Sequence, residues 1–335
     1  MSLVSHLVRS KGWAHLPRRA VMLLRRQGVT PRRIMAALED YAMVLSRYHV
    51  HATFPTTAAV FLRHPEPVQQ LAAVGHEIAL HGYHHVDHSL LTPTQQEAEV
   101  RQGQAAFASA GIWVSGFRAP YLRVNDSLLA VVASAGLTYD SSQATFFPVL
   151  DEARLSETAR TVLRAVLDFY RPDDADTVPS LPHRLPNGLV EIPVSLPDDE
   201  ILVDRLKWDV ALVGETWQRM LTIVRSRNEL LTLQLHPERA LLCADALDRL
   251  LAWARTQEPP IWIATLAEVA AWWQERTSRQ IEERWPGNAQ GALAITGDLD
   301  ALTLWDYAWR VRGSAAIRRV RGMLPRFVPT PMSRG

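Results

Sequence analysis

Histidine is concentrated in one stretch of the chain, with a spacing that could bind a metal ion. The run GHEIALHGYHHVDHSLL, residues 75–91, holds five of the twelve histidines. His81 and His85 are four residues apart, so one helical turn would place both imidazoles on the same face. Two neutral imidazoles and one carboxylate, with positions left open for water and substrate, form a common catalytic arrangement for zinc or another divalent ion. No obvious carboxylate just upstream of the stretch completes such a site.

Two carboxylates that could complete it lie near the other end of the chain. The apolar run ALAITGDLDA ends in Asp298 and Asp300. Residues two apart on an extended chain point to the same side, and the carboxyl end of a parallel strand is where α/β folds place their chemistry. Each pattern alone also has an ordinary explanation, because paired histidines are often not ligands and Asp-x-Asp pairs are often caps or surface charge.

Alternating strands and helices surround both motifs. From residue 53 to residue 142 the pattern runs strand, helix, strand, helix with short connectors, which predicts parallel strands covered by helices. A polar helix and a Pro/Asp-rich run then break the rhythm, and we expect an insertion at about 151–197 over one face of the domain. The alternation resumes with LVEIPVS. We predict a basic N-terminal extension (1–29), one α/β domain (30–306) and a basic C-terminal tail (307–335).

Composition indicates a globular, cytoplasmic protein. Apolar residues make up 47% of the chain, and no run approaches the roughly twenty apolar residues of a membrane span. The arginines scattered through the N-terminus interrupt the apolar core that a secretory signal needs. The one cysteine, Cys243, excludes an intramolecular disulfide and fits a reducing compartment.

The charge is distributed unevenly along the chain. Eight basic residues and no acid precede Glu39, and seven arginines and no acid follow Asp306. Basic ends around an acidic middle favour contact with an anion, such as a membrane surface, nucleic acid or a phosphorylated substrate. Solvated arginine in an arginine-rich chain explains the pattern equally well.

The order of further motifs resembles that of a known family. After the histidines come FRAPY (117–121), YDSS (139–142) and LTLQLHP (231–237). Together these resemble the polysaccharide deacetylases, carbohydrate esterases that remove acetyl groups from N-acetylated sugars. Members of that family read, in order, a strand with a catalytic and a metal-binding aspartate, His-x-x-x-His, Arg-x-Pro-Tyr, an aspartate motif and Leu-x-Leu-His. The resemblance covers about residues 30–306.

The first family motif is out of place in this chain. It is absent before Thr53 and stands instead at residues 295–300. The resemblance therefore implies a distorted (β/α)7-type barrel that is circularly permuted, with the first family strand supplied last.

The resemblance also implies roles for single residues. His81, His85 and Asp300 would bind the metal, which we expect to be zinc, with cobalt or nickel as alternatives. Asp298 would be the general base, and Arg118 would hold it ionised through a charge-assisted hydrogen bond.

The remaining roles concern the leaving group and the oxyanion. His236, oriented by Asp140, would protonate the leaving amine as an imidazolium. The backbone N–H of Tyr121 would help the metal to hold the oxyanion. We expect His84 and His88 to form hydrogen bonds within the loop rather than to bind the ion.

Three details depart from the family pattern. Leu299 separates the two aspartates, which are often adjacent, and Gly82 stands where the family usually has Ser or Thr. The aspartate motif lacks its usual tryptophan.

We expect a hydrolase that removes an N-acetyl or other acyl group from an amino sugar or glycan, lipid-linked or nucleotide-linked. The basic ends would touch membrane headgroups at the inner face of the membrane or substrate phosphate, and we expect no nucleic acid partner. One alternative is a hydrolase of small cyclic or linear amides, as in the allantoinase-like members. Another is a non-enzymatic, metal-binding scaffold.

Overall fold

The computed structural model describes residues 29–306. The basic C-terminal tail, and all but the last residue of the basic N-terminal extension, lie outside the described residues. The α-helices of the described part are α1 (Arg32–Arg47), α2 (Ala58–Arg63), α3 (Pro65–Ala73), α4 (Pro93–Ala108), α5 (Asp126–Ser134), α6 (Glu157–Tyr170), α7 (Val210–Arg227), α8 (Ala240–Arg255) and α9 (Leu266–Arg279). Its strands are β1 (Thr53–Thr56), β2 (Glu77–Leu80), β3 (Gly116–Phe117), β4 (Tyr139–Asp140), β5 (Ala144–Phe146), β6 (Asp173–Asp174), β7 (His183–Arg184), β8 (Val190–Glu191), β9 (Val194–Leu196), β10 (Leu230–Leu235), β11 (Trp262–Ala264) and β12 (Ala292–Gly297).

The strands form one sheet in which the last strand lies at the centre. The order is β6-β5-β9-β10-β12-β1-β2-β3-β4-β8-β7, with β11 also paired to the start of β12. All pairs within it are parallel except β7 with β8. Parallel strands covered on both faces read as continuous apolar runs, which explains the sequence ALAITG of β12. A circularly permuted chain would place its last strand between β10 and β1 in this way, and the permutation itself stays a prediction.

One segment closes the sheet into a ring. Residues 190–196 pair through β8 with β4 on one side and through β9 with β10 on the other. The ring therefore runs β12, β1, β2, β3, β4, the 190–196 segment and β10. This arrangement agrees with the predicted seven-stranded α/β barrel.

The segment at about 151–197 does not lie over one face of the domain as an insertion. It contributes α6 and the four strands β6 to β9, and two of these close the ring. Strands of two or three residues with mixed polarity carry no periodic pattern, which is why the sequence predicted a loop-rich insertion here.

The apolar core lies between the sheet and the helices outside it. In β10 the alternate residues Leu231, Leu233 and Leu235 belong to this core. Gln234 lies on the opposite side of the strand, inside the ring. Within residues 29–306 no helix combines the length and the apolar character needed to cross a lipid bilayer.

A buried polar cluster lies at the amino-terminal end of the ring. Glu77 accepts hydrogen bonds from the hydroxyls of Tyr139 at 2.6 Å and Thr53 at 2.7 Å, and from the backbone amide of Ala267 at 2.9 Å. The Tyr139 ring reaches this position by lying across Gly116, its register partner on β3. A Cβ at Gly116 would be 1.8 Å from Cζ of that ring.

Replacing Gly116 with alanine should therefore destabilise the protein. The new methyl group would displace a buried tyrosine from its hydrogen bond, and overpacking of this kind costs about 1–3 kcal/mol or more. Urea unfolding measures the change in the free energy of unfolding. Gly214→Ala in α7 is the matched control, because its Cβ would be no closer than 3.5 Å to another atom. That variant should gain about 0.5–1 kcal/mol, and equal effects of the two substitutions would contradict the prediction.

Candidate metal centre and catalytic residues

Both histidines and Asp300 meet at the carboxyl ends of the strands that flank β1. His81 follows β2, and Asp300 follows β12 after a bridge between Thr56 and Leu299 that extends the pairing of β1 with β12. Nε2 of His81 lies 3.2 Å from Oδ1 of Asp300, and Nε2 of His85 lies 3.0 Å from Oδ2. One ligand atom from each of the three residues lies within 4.8 Å of the others. The structure therefore brings together the three residues that the sequence predicts as metal ligands.

The segment that carries the histidines is a loop rather than a helical turn. It bends at Gly82, whose φ of +78° lies in the left-handed region. A Cβ at this position would lie 2.5 Å from Cε1 of the His88 ring. Glycine stands where Ser or Thr is usual because neither the backbone conformation nor the neighbouring ring leaves room for a side chain.

The hydrogen bonding of His81 directs a lone pair at Asp300. Nδ1 of His81 lies 2.7 Å from the carbonyl oxygen of Arg118, which can only accept, so the proton is on Nδ1. In the neutral form of the ring, Nε2 presents a lone pair to a carboxylate oxygen of Asp300, and a cation between the two atoms would relieve their repulsion. Imidazole nitrogen and carboxylate oxygen are ligands that zinc accepts. The donor set therefore fits a divalent metal ion.

Asp298 follows β12, as Asp300 does, and each of its carboxylate oxygens accepts a hydrogen bond. Nη1 of Arg118 donates to Oδ1 at 2.8 Å, and Nε2 of Gln234 donates to Oδ2 at 2.7 Å. Arg118 is wholly buried, and its other contacts are to both oxygens of Ser141 and to the hydroxyl of Thr296. A buried guanidinium requires a paired anion, and this pair fixes the orientation of the Asp298 carboxylate.

His236 is bound by Asp199, so the orienting role predicted for Asp140 is wrong. Nδ1 of His236 lies 2.7 Å from Oδ1 of Asp199, and the backbone amide of His236 donates to Oδ2 at 2.7 Å. Asp199 follows β9, which pairs with β10, the strand that His236 follows. Asp140 ends β4, on the other side of the 190–196 segment. The ring therefore separates Asp140 from His236 by one strand.

Asp140 instead forms a buried pair with Glu191, its register partner on β8. Oδ1 of Asp140 accepts from the Ser142 hydroxyl at 2.8 Å, and Oε1 of Glu191 accepts from the amides of Ser142 and Gln143 at 3.1 and 2.8 Å. Burial raises the pKa of Asp140 to about 6, and burial together with the Asp140 charge raises the pKa of Glu191 well above its usual value. Through these hydrogen bonds the pair holds the turn that carries Ser141.

The surroundings of His236 favour its charged form. Burial lowers the pKa of His236, but the Asp199 carboxylate outweighs burial and raises this pKa to about 10. Burial raises the pKa of Asp199, but the charges of His236 and Arg239 outweigh it and keep that pKa below its usual value. His236 is therefore an imidazolium at neutral pH, with Nδ1 bonded to Asp199 and Nε2 left to donate a proton.

A second group of possible ligands lies around His236. One ligand atom each from Asp198, Asp199 and His236 lies within 4.8 Å of the others. Nη1 of Arg239 lies 3.8 Å from Oδ1 of Asp199 and already supplies positive charge there. Burial and the neighbouring Asp199 charge raise the pKa of Asp198 to about 7. We interpret this group as the environment of a proton donor rather than as a metal site.

Tyr121 lies beside His85 in a strained backbone conformation. Its φ of 63° and ψ of 13° are in the left-handed region, which costs of order 1–3 kcal/mol for a residue other than glycine. Its ring centre is 4.7 Å from that of His85. Strain of this kind is typical of functional sites, and here it occurs at a residue whose ring lies against a predicted metal ligand.

The other two histidines of the loop bind Glu99, as predicted for loop hydrogen bonds. The backbone amide of His84 donates to Glu99 at 2.7 Å, and Nδ1 of His84 donates at 2.9 Å. His88 lies 3.6 Å from the same carboxylate, and its Nδ1 donates to the Val86 carbonyl at 2.9 Å.

Sequence reasoning missed Asp199, Gln234 and Glu191. Asp199 did carry a usable signal, because LPDD follows the apolar run VEIPVS in the same way that GDLD follows ALAIT. Gln234 and Glu191 carried none, since a polar residue inside a barrel strand looks like one that faces solvent.

The substitution Asp199→Asn tests which carboxylate raises the pKa of His236. We expect the His236 pKa to fall from about 10, because the carboxylate that opposes the effect of burial most strongly would be lost. An NMR titration of the imidazole measures this. In the wild-type protein the folded pKa is raised, so the pair stabilises the fold below a pH of about 6.5 and loses this contribution as the pH rises through about 10. Asp140→Asn is the control and should leave the His236 pKa unchanged; an equal fall there would return Asp140 to the role.

Part of this chain is similar in sequence to known proteins. Residues 33–139 match the family model for polysaccharide deacetylase. Over 100 residues the chain is 34% identical to a chitooligosaccharide deacetylase of Bradyrhizobium sp. (strain ANU 289), a match that covers 29% of this chain and 46% of that protein. The chain therefore spans less than half the length of this curated relative.

Solved structures share the fold. A "putative polysaccharide deacetylase from Mycobacterium smegmatis" superposes with a TM-score of 0.60 at 23% identity, over 82% of this chain and 86% of that one. Puue allantoinase gives 0.56 at 17% identity, over 71% and 72%. A "probable Polysaccharide deacetylase from Pseudomonas aeruginosa PAO1" gives 0.57 at 17% identity, over 71% and 73%. Residues 33–139 are thus similar in sequence to the polysaccharide deacetylases, and the chain shares the fold of these solved structures.

Proposed function

We propose that this protein is a metal-dependent hydrolase that removes the N-acetyl group from an amino sugar or glycan. The observation that carries the proposal is the convergence of His81, His85 and Asp300, which come from opposite ends of the described chain, within 4.8 Å of one another. Asp298 and His236 leave neighbouring strand ends, since Asp298 donates its backbone N–H to the Leu235 carbonyl at 3.0 Å. A base and an acid thus flank the metal ligands.

Zinc is the ion we propose for these ligands, with cobalt or nickel as alternatives. A divalent ion bound there would polarise the acetyl carbonyl and increase the acidity of water. His81 is prepared for this role because the Arg118 carbonyl fixes its tautomer, the kind of outer contact that orients metal-binding histidines.

Asp298 acts as the general base. Arg118 and Gln234 each occupy one lone pair of the carboxylate, which orients the other lone pairs and leaves them available to take a proton from the attacking water. The backbone N–H of Tyr121, a residue whose ring lies against His85, contributes a hydrogen bond to the developing oxyanion.

His236 acts as the general acid. An amine is a poor leaving group, so it must receive a proton as the C–N bond breaks. With a pKa raised to about 10, His236 carries that proton at neutral pH, and Asp199 holds the ring by Nδ1 so that Nε2 donates it.

The name of the Bradyrhizobium relative supports an N-acetylated amino sugar as the substrate class. Short oligosaccharides of N-acetylglucosamine are therefore the first substrates to test. We also propose that this sugar is linked to a lipid or to a nucleotide.

Metal content and activity, measured together, test the proposed site. We expect about one divalent ion per chain in the wild type, and its loss in both Asp300→Ala and His81→Ala. His84→Ala is the matched control, since this histidine of the same loop binds Glu99, and it should keep the ion. Asp298→Asn should keep the ion but release acetate about 10²–10⁴ times more slowly.

Two outcomes would change the conclusion. An ion lost in His81→Ala but kept in Asp300→Ala would separate the aspartates from the site and remove the basis for the deacetylase. A metal-loaded enzyme that hydrolyses cyclic amides but no acetylated sugar would move the function to the allantoinase-like class.

The basic ends lead to a second part of the proposal, a cytoplasmic location with contact at the membrane. LPRRAVMLLRRQ, residues 16–27, has an arginine pair at each end of an apolar run, as a short interfacial helix does. These residues lie outside the described part of the chain.

We expect the full chain to sediment with vesicles that contain anionic lipid and to remain in solution with neutral vesicles. A variant that lacks residues 1–28 should bind the anionic vesicles more weakly while keeping its metal. Equal recovery of the two proteins with both kinds of vesicle would remove the membrane from the proposal.

A further inference from the structure

The predicted metal ligands lie on two segments far apart in sequence, and one short helix contacts both. His81 and His85 belong to the loop after β2, and Asp300 to the segment after β12. Helix α2 follows β1, the strand between β2 and β12. The distance between the histidines and the aspartate therefore depends on how each segment is attached to α2.

The start of α2 holds the histidine loop. The backbone amides of Ala58 and Ala59 donate to the carbonyls of Gly82 and Tyr83 at 3.0 and 2.9 Å. The first amides of a helix have no partner within the helix, so they are available for such bonds. The loop between His81 and His85 is thereby fixed to the helix by its backbone.

The segment that carries Asp300 is attached first through Leu299. The amide of Leu299 donates to the Pro55 carbonyl at 2.8 Å, and the amide of Thr57 donates to the Leu299 carbonyl at 3.4 Å. These bonds hold the residue before Asp300 against β1 and the start of α2.

Asp306 attaches the other side of the same segment to the end of α2. Nε of Arg63 donates to Oδ1 of Asp306 at 2.6 Å, and Nε2 of His64 donates to Oδ2 at 3.0 Å. The Asp306 carboxylate also accepts from the amides of Leu302 and Thr303 at 3.1 and 2.9 Å, and from the Thr303 hydroxyl at 2.9 Å. It is 2% exposed, so these bonds are shielded from water.

We propose that Asp306, Arg63 and His64, here called the Asp306 clamp, form a positioning site that sets Asp300 opposite His81 and His85 and so determines the affinity for the metal ion. The inference rests on the proposed metal site. Asp300 lies between Leu299, which is bonded to β1, and Leu302, which is bonded to Asp306. Without the clamp the segment after Asp300 loses its hydrogen bonds to Asp306 and keeps the packing of Leu302 in the apolar core.

The clamp is not needed to hold β12 in the sheet. That strand pairs with β10 over six consecutive residues, from Ala292 to Gly297, and all of these pairs precede Asp298. Loss of the clamp should therefore act mainly on residues 300–306 and on metal binding, and much less on the barrel.

Metal affinity is the measurement that tests the clamp. We would compare the wild type with Asp306→Asn and Arg63→Met, in competition with a chromophoric chelator for zinc and for cobalt. We expect binding about tenfold weaker in both variants, the lower end of the 10- to 100-fold range for residues that orient metal ligands. Arg63→Lys should recover part of the loss.

Asp248→Asn is the matched control. The Asp248 carboxylate also accepts hydrogen bonds from an arginine and a hydroxyl, those of Arg47 at 2.5 Å and Tyr48 at 3.0 Å. These bonds connect α1 to α8 and lie away from the clamp. We expect wild-type metal affinity in this variant. Thermal unfolding of all variants without metal separates weaker binding from a weaker fold, because a purely structural role would lower the unfolding temperature and leave the affinity unchanged.

Each outcome decides the inference. Wild-type affinity in Arg63→Met and in folded Asp306→Asn overturns it. If Asp306→Asn does not fold, Arg63→Met carries the test, because the Arg63 side chain is 39% exposed and its loss leaves the turn around Thr303 intact. A wild-type protein that binds no ion through His81 would overturn the proposed function as well, whereas a clamp failure alone leaves that function standing.

Discussion

The buried charge of Arg118 is the constraint on which the rest of the site depends. A guanidinium with no exposure to water is stable only when an anion and further acceptors surround it, and Asp298 and Ser141 provide them. The backbone carbonyl of the same residue accepts a hydrogen bond from Nδ1 of His81, so it also sets the direction in which that ring presents its other nitrogen. The proposed general base and one proposed metal ligand are therefore both oriented by a single residue, which follows β3.

This constraint explains why the interior of the ring is polar around Arg118, although Leu230 and Ala294 belong to a second apolar cluster further along the same strands. Along β10, leucines alternate with Thr232 and Gln234, and the leucines belong to the core beneath the helices. The polar positions face the space that contains Arg118, where Gln234 reaches Asp298. The acid pair of Asp140 and Glu191 holds the turn next to it. The part of the interior around Arg118 is thus a set of hydrogen-bonded polar side chains, and two apolar clusters supply the hydrophobic stabilisation.

Much of the site could be predicted from the sequence because its motifs end strands. Carboxyl ends of parallel strands share one edge of a sheet, so His81, Asp300 and Arg118 had to meet once the strands were recognised. The partner of His236 could not be found in this way. It depends on how residues 190–196 cross from β4 to β10, and short strands of mixed polarity leave no periodic signal for that path. The histidine spacing predicted a helical turn, whereas the structure uses a loop at Gly82 to bring the same two rings to one carboxylate.

The central position of β12 has a consequence for how the protein folds during synthesis. Of the strands within residues 29–306, β12 is synthesised last, after its neighbours β1 and β10. Until β12 is present, the edges of β1 and β10 that face it have unpaired backbone groups. Arg118 also lacks its anionic partner until then, because Asp298 directly follows β12. Burial of the Arg118 charge before that point would be unfavourable. Insertion of one late strand thus completes the sheet, neutralises the buried charge and delivers both aspartates together. A nascent chain that stops short of residue 292 is an open-edged intermediate, the kind of species that chaperones and proteases recognise.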